Sequence, residues 1–152
     1  MNPKQMLKKT KFLAVQMRRS KNLSIAVGLP KEKVGGAIYE DGQTIISVGA
    51  QHEYGVGVPR RSFLRVPFIK KSRDISEKLR KGFELIAEKG YTAEKSLNLV
   101  GAYVTNVSKG AFTSRGYGTW TPNKPSTIAA KGSSQPLIDT GTLRNSITWV
   151  VR

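Results

Sequence analysis

A histidine followed directly by a glutamate, His52-Glu53, is the first pair of residues in this sequence that could do chemistry. On a helix, such a pair begins a zinc-binding motif, which needs a second histidine four residues after the first. His52 is the only histidine of the chain, and the chain has no cysteine. Three protein ligands for a catalytic zinc ion cannot be assembled from one histidine and scattered acids, so we expect no metal site and no cofactor.

The second candidate for chemistry is Asp139-Thr140-Gly141, which has the local shape of an aspartic-protease active-site loop. Those enzymes need two such carboxylates that share a proton, one from each lobe or subunit. Only 11 residues follow Gly141 in the sequence, too few for the part of the barrel that such a lobe builds after its motif. We expect instead that Asp139 or Thr140 caps a short helix containing Leu143. No serine stands in a nucleophile motif and no phosphate-loop spacing occurs, so the sequence predicts a protein that is not an enzyme.

The strands that would position these residues are predicted from alternation and turn signals. Residues 23–29 alternate between larger apolar and small residues, which predicts a half-buried strand. The turn signal Asp41-Gly42 precedes a second predicted strand at 44–48. The β-branched and aromatic residues 147–151 predict a last strand.

Two stripes of apolar residues at helical spacing predict two long helices, each with one face in the core. The first helix begins near Pro67, ends at Lys89-Gly90 and carries Phe68, Ile75, Leu79, Phe83 and Ile86. The second is N-capped by Thr92, ends at Lys109-Gly110 and carries Ala93, Leu97, Val100, Val104 and Val107. Residues 111–136 are rich in Gly, Pro, Ser and Thr and have weak periodicity, which predicts a long extended loop.

The charge of the chain favours an anionic partner. Lys and Arg total 26 against 10 acids, a formal net charge of +16. No acid precedes Glu32, and the helix formers within residues 1–20 predict a basic N-terminal helix. A second acid-free stretch runs from Pro59 to Arg73. Such a field suits DNA, RNA or an acidic protein surface, and the charge alone does not choose among them.

Three separated blocks carry a family resemblance. They are VGAQHEYG at 48–55, PRRSFLR at 59–65, and a third block that joins WTP at 120–122, Thr127-Ile128, Lys131 and PLIDTGTLRNSI at 136–147. In this order and spacing, the chain resembles the virion-morphogenesis and neck (tail-completion) proteins of tailed bacteriophages over roughly residues 48–151. One departure is Ser62, which stands where the family usually has proline, so we expect a less rigid loop there.

The resemblance implies a single domain, residues 1–152, of the α+β class: a small, mostly antiparallel sheet packed by two or three helices. It also implies a structural subunit that forms a homo-oligomeric ring at the head–tail junction and binds other neck, connector and tail proteins, with possible contact to packaged DNA. The long loop would reach adjacent subunits. The residues that we expect at interfaces, with His52, Glu53 and Tyr54 at a strand end, are His52, Glu53, Tyr54, Arg61, Phe63, Arg65, Trp120, Asp139 and Arg144.

Alternatives remain open at several of these positions. Trp120 is either an interface anchor or a loop residue that covers the core. Arg61 and Arg65 could form intersubunit salt bridges or face DNA, and Glu53 could pair with a basic neighbour. For the whole chain, a tail terminator or other tail ring protein and a basic nucleic-acid-binding protein are the rival functions. No apolar run reaches the roughly 18–20 residues that span a bilayer, and the N-terminus leads into lysines, so we expect synthesis and folding in the cytoplasm. The family resemblance implies assembly in the host cytoplasm and residence in the neck or tail of the virion.

Overall fold

Three long helices and a two-stranded antiparallel sheet form the frame of the structure, a computed structural model that describes residues 1–152. The α+β class predicted from the sequence is confirmed. In chain order the elements are α1 (Pro3–Lys21), β1 (Ile25–Gly28), α2 (Lys31–Val34), α3 (Ile45–Tyr54), α4 (Arg65–Lys70), α5 (Ser72–Lys89), α6 (Ala93–Thr113), α7 (Arg115–Gly118), α8 (Pro125–Lys131), α9 (Thr142–Ser146) and β2 (Thr148–Val151). None of these helices is both long and apolar enough to cross a bilayer.

The sheet joins the two ends of the domain and packs on α6. Strand β1 pairs antiparallel with β2, and Val27 lies opposite Trp149. Trp149 lies directly over Gly101 of α6, where a Cβ atom would come within 2.3 Å of the indole Cδ1. The indole Nε1 of Trp149 donates to Asn98 Oδ1 at 2.9 Å. The two outer predicted strands are therefore confirmed, and a glycine on α6 lets the sheet approach the helix closely.

The strand predicted at 44–48 is wrong, because this segment begins helix α3 (Ile45–Tyr54). Thr44 caps the helix, since its Oγ1 accepts a hydrogen bond from Ser47 N at 3.1 Å. Gly55 ends it in the left-handed conformation, with φ of 79°. The β-branched Ile45 and Ile46 favour a strand locally, but the two caps and a buried helical face outweigh that preference. The residues expected at a strand end, His52, Glu53 and Tyr54, thus lie in the last turn of a helix.

Helix α6 confirms the second apolar stripe and its Thr92 cap, whose Oγ1 accepts from Lys95 N at 3.1 Å. The predicted end at Lys109-Gly110 is wrong, since the helix continues to Thr113. Gly110 serves packing there: a Cβ atom would lie 2.8 Å from the hydroxyl of Tyr117. The added turn places Ala111 and Phe112 in the core, both with no exposed surface.

The first apolar stripe spans two helices and not one. Helix α4 (Arg65–Lys70) ends at Lys71, and α5 then runs from Ser72 to Lys89 and ends at Gly90. Of the stripe on α5, Ile86 is buried, but Leu79 is 37% and Phe83 38% exposed. Leu79 and Phe83 therefore expose apolar surface to solvent, whereas the sequence predicted that this face of the helix packs in the core.

The extended loop predicted at 111–136 is also wrong. Its first residues finish α6, the short turn α7 follows, and α8 occupies Pro125–Lys131. Pro125 at the first helical position and Gly132, with φ of 66°, mark the ends of α8. Because Trp120 is only 7% exposed, the segment folds back on the core of the same chain. It does not extend toward a neighbour in the way the sequence suggested.

Candidate functional site

The centre of the candidate site is the carboxylate of Glu53, which is 4% exposed on the inner face of α3. It accepts five hydrogen bonds from the next sequence block: from Ser62 Oγ and from Arg65 N and Nε on Oε1, and from Phe63 N and Leu64 N on Oε2. The three backbone donors are free because α4 starts here, so the carboxylate occupies the N-terminus of that helix. Arg65 also donates to the Glu53 carbonyl at 3.1 Å.

Ser62 fixes the loop at the position where the resembled family usually has proline. Its side chain is buried, and its Oγ donates to Glu53 Oε1 at 2.7 Å and accepts from Val66 N at 3.0 Å. A less rigid loop was expected at this position. The hydroxyl instead links α3 to the first turn of α4, so the serine provides a constraint of its own.

The third block joins the same centre. The Trp120 indole donates from Nε1 to the Ser62 carbonyl at 3.0 Å. Arg61 donates from Nε to Thr121 O at 3.1 Å and from Nη2 to Pro122 O at 3.3 Å. Three aromatic rings also pack together, Phe63 against Phe112 and Phe112 against Trp120. The ring centroids are 5.5 Å apart in each pair. We call Glu53, Arg61, Ser62, Phe63, Arg65 and Trp120 the Glu53 cluster.

The chemistry of the Glu53 carboxylate follows from its surroundings. Burial raises the pKa of Glu53, but hydrogen bonds from Ser62, Leu64 and Arg65 outweigh burial and hold the pKa below its usual value. Both oxygens are occupied by donors of the same chain. A saturated carboxylate of this kind holds a loop in place, and it offers no free lone pair to a substrate proton in this conformation.

The predicted interface residues divide into buried and exposed groups. Glu53, Arg61, Phe63 and Trp120 are buried, each at most 7% exposed, and make their contacts within the chain. Glu53 forms the ion pair with a basic neighbour that the sequence suggested, since Arg65 Nε lies 3.1 Å from Glu53 Oε1. For Trp120 the structure selects the core-covering role. The Arg61 guanidinium donates to two carbonyls of the same chain, and its contact with a neighbouring subunit or with DNA stays a prediction.

Five of the predicted residues keep access to solvent, namely His52, Tyr54, Arg65, Asp139 and Arg144. Tyr54 is 61% exposed, and the Arg65 guanidinium stacks 4.4 Å from its ring centre. His52 is half-buried beside the cluster, and Asp139 is exposed. Arg144 is half-buried and donates to Lys109 O at 3.4 Å, away from the cluster. The helix cap predicted from Asp139 or Thr140 is wrong, because Gly141 occupies the N-cap of α9.

An open cleft of about 700 Å³ adjoins the cluster. Its polar lining includes Gln51, His52, Arg61, Lys131 and Asp139. Burial lowers the pKa of His52, and the nearby Arg61 lowers it further, so the imidazole is neutral at pH 7. Burial also lowers the pKa of Lys131, whose ammonium donates to the Gln135 and Ile138 carbonyls. The cations of the cleft thus hold its own loops together.

Two residues of the site were missed by sequence reasoning. Ser108 of α6 has no exposed surface, and its Oγ donates to Phe63 O at 2.7 Å. Asn123 is 8% exposed and donates to Gln135 O at 3.3 Å. A signal for Ser108 was present, because it stands between Val104 and Ala111 at helical spacing in an apolar stripe. A polar residue in such a stripe indicates a buried hydrogen bond.

Comparison with family models, with curated proteins and with solved structures found no match to this chain. No group of three or more His, Cys, Asp or Glu side chains lies close enough together to hold a metal ion. A function for this chain must therefore be argued from the geometry of the Glu53 cluster, from the surfaces around it and from the family resemblance of the three blocks.

Proposed function

We propose that this chain is a structural subunit of a tailed bacteriophage that forms a ring at the head–tail junction and performs no catalysis. The convergence of the three sequence blocks carries the proposal. Blocks that lie as much as 60 residues apart in sequence meet through direct hydrogen bonds, as between Arg61 and Thr121. Three short matches produced by chance would have no reason to meet in this way. A shared spatial cluster is the arrangement expected of a family signature.

The charges of the cluster support a structural role over a catalytic one. The Glu53 carboxylate is saturated by donors of the same chain, and Arg61 is committed to two carbonyls. Groups used in this way determine the path of the chain between α3, α4 and the Trp120 loop. The result is a rigid body, which is what a ring subunit needs in order to present fixed surfaces to its neighbours.

The outer surface supports self-association. Helices α1, α5 and α6 contact one another and leave large apolar side chains in solvent. These are Met6, Leu7 and Met17 on α1, Leu79 and Phe83 on α5, and Leu99 on α6, each between 37% and 60% exposed. Apolar surface shared among neighbouring helices is a common feature of protein interfaces. The proposed occupant is a second copy of this chain, which would bury part of this surface in a ring.

Sedimentation velocity on the purified chain tests the self-association. We expect a concentration-dependent oligomer for the wild type, and its loss in the double variant Leu79→Ser/Phe83→Ser. The matched control is Ile69→Ser, which also removes an exposed apolar side chain (73% exposed) but lies on α4. The control should assemble as the wild type does. A lasting monomer that binds duplex DNA with nanomolar affinity would contradict the proposal and favour a free nucleic-acid-binding protein.

A further inference from the structure

The first half of helix α1 does not pack against the rest of the chain. Every residue from Met1 to Lys11 is exposed, whereas Phe12, Leu13 and Ser20 are half-buried and Gln16 is buried. Gln16 fixes the second half, because its Oε1 accepts a hydrogen bond from Ala93 N at 2.9 Å. The first half is nevertheless a defined helix start. Asn2 and Gln5 form a reciprocal cap, with Asn2 Oδ1 accepting from Gln5 N and Gln5 Oε1 accepting from Asn2 N.

The positive charge of this helix is not neutralised within the subunit. Helix α1 contains no acid, and none of the six ion pairs of the structure involves it. Its cations are Lys4, Lys8, Lys9, Lys11, Arg18, Arg19 and Lys21. Lys4 lies in the first turn, where the helix dipole favours an acid, and Lys8 lies one turn further along the same side. These cations repel one another and the positive end of the helix dipole, so an anion bound along the helix would be stabilised.

Four of these cations form one straight face. At about 100° per residue, Lys4, Lys8, Lys11 and Arg18 fall within an arc of about 80°. The buried Gln16 and the half-buried Leu13 and Ser20 lie about 120–180° from the centre of this arc, so the face points away from the body. With a rise of about 1.5 Å per residue, the face is about 21 Å long. We call these four residues the basic face of α1.

We propose that the basic face of α1 binds the phosphate backbone of double-stranded DNA without sequence preference. A linear row of cations suits a linear polyanion, and lysine contacts phosphate as a point charge. Docking to an acidic protein would favour an apolar or aromatic anchor at the centre of the interface. The basic face has only Val15 between its cations. The basic face belongs to a single copy of the chain, so DNA binding by this face does not require ring assembly.

Fluorescence anisotropy with a labelled 20-base-pair duplex of mixed sequence tests the inference on the full chain. We expect wild-type binding in the micromolar range, as is usual for sequence-independent contacts. The triple variant Lys4→Gln/Lys8→Gln/Lys11→Gln should bind roughly tenfold more weakly or worse at low salt. Its plot of log K against log salt concentration should be shallower by about 2.7, which is about 0.9 for each lost contact.

The control is Lys31→Gln/Lys89→Gln/Lys124→Gln, which removes three exposed lysines that lie outside α1 and form no ion pair. It lowers the net charge by the same amount, and circular dichroism should show both variants folded. Equal loss of binding in the two triple variants would overturn the inference, because bulk charge would then explain the affinity. Displacement of the duplex by poly-glutamate of matched charge concentration would also overturn it, since the face would then prefer an acidic polypeptide.

Discussion

Replacing Glu53 with glutamine tests the role of the cluster in holding the subunit together. The amide keeps the shape of the side chain, and its oxygen can still accept from Phe63 N and Leu64 N. The new NH2 group then faces Ser62, which can accept, and the two Arg65 donors, which cannot. A hydrogen bond to a charged group contributes about 1.5–3 kcal/mol. Because the Arg65 side chain is 49% exposed and partly screened, we expect a total loss of about 3 kcal/mol.

For a chain of this length, about 3 kcal/mol corresponds to a fall in melting temperature of roughly 10 °C at pH 7. Thermal unfolding followed by circular dichroism measures it. The matched control is Glu77→Gln, the same change at an exposed carboxylate that pairs with Arg80, and its melting temperature should stay at the wild-type value. A fall of less than about 2 °C for Glu53→Gln would refute the structural role that we assign to the cluster.

The pH dependence of the same variant provides a second test. The folded pKa of Glu53 lies below its usual value of 4.5, so the carboxylate stabilises the fold fully above about pH 4.5. That contribution is lost as the pH falls through the folded pKa. The difference in melting temperature between wild type and Glu53→Gln should therefore narrow when unfolding is measured at progressively lower pH. A constant difference from pH 7 down to pH 2 would show that charge is not the cause.

Two further predictions concern the sheet and the cleft. Gly101→Ala should lower stability by about 1–3 kcal/mol in a denaturant titration, because its Cβ atom would clash with Trp149, while Gly36→Ala, with nothing within 4 Å, should be neutral. Destabilisation by both alanines alike would contradict the close approach of sheet and helix. The single histidine, His52, should titrate by NMR below its usual pKa of 6.5, and its contribution to stability should be full above pH 6.5 and fall as the pH drops through the folded pKa. Titration at or above 6.5 would show that burial and Arg61 do not govern it.

The elements that the sequence predicted well are those whose residue pattern and packing agree. The apolar stripe of α6 and its Thr92 cap indicated the helix directly, and the β-branched residues of β2 indicated the last strand. The segment at 44–48 was assigned wrongly because the local preference of its isoleucines opposes the cap at Thr44. The end of α6 was placed too early, since Gly110 looked like a terminator and instead makes room for Tyr117.

The contacts within the site were harder to predict than the residues that form it. Five of the residues selected from sequence belong to the Glu53 cluster, and His52 and Tyr54 lie beside it. Their partners are mostly backbone groups, which residue types do not reveal. Glu53 accepts from three backbone N–H groups, and Arg61 donates to two carbonyls. The structure gives these residues contacts within one chain, and their contacts with other copies of the chain stay a prediction.

The exposed surfaces of the chain lie on other residues than those from which the sequence predicted contacts with neighbouring subunits. The segment 111–136 was expected to reach adjacent subunits, and it is instead tied down through Trp120 and α8. The surfaces that remain open are the first half of α1 and the apolar side chains of α5 and α6. Interface mutagenesis is therefore better directed at Leu79 and Phe83 than at Arg61 or Trp120.

The central proposal places the gene for this chain in a tailed phage, and its most direct test is to delete that gene from the phage genome and to examine the products by electron microscopy. The proposal predicts filled heads and finished tails that fail to join, or tails with defective ends, and rescue when the wild-type chain is supplied from a plasmid. Supplying Glu53→Gln tests the same requirement with a weakened subunit, and we expect poorer rescue at high growth temperature. Normal, infectious particles in the absence of the gene would contradict the proposal.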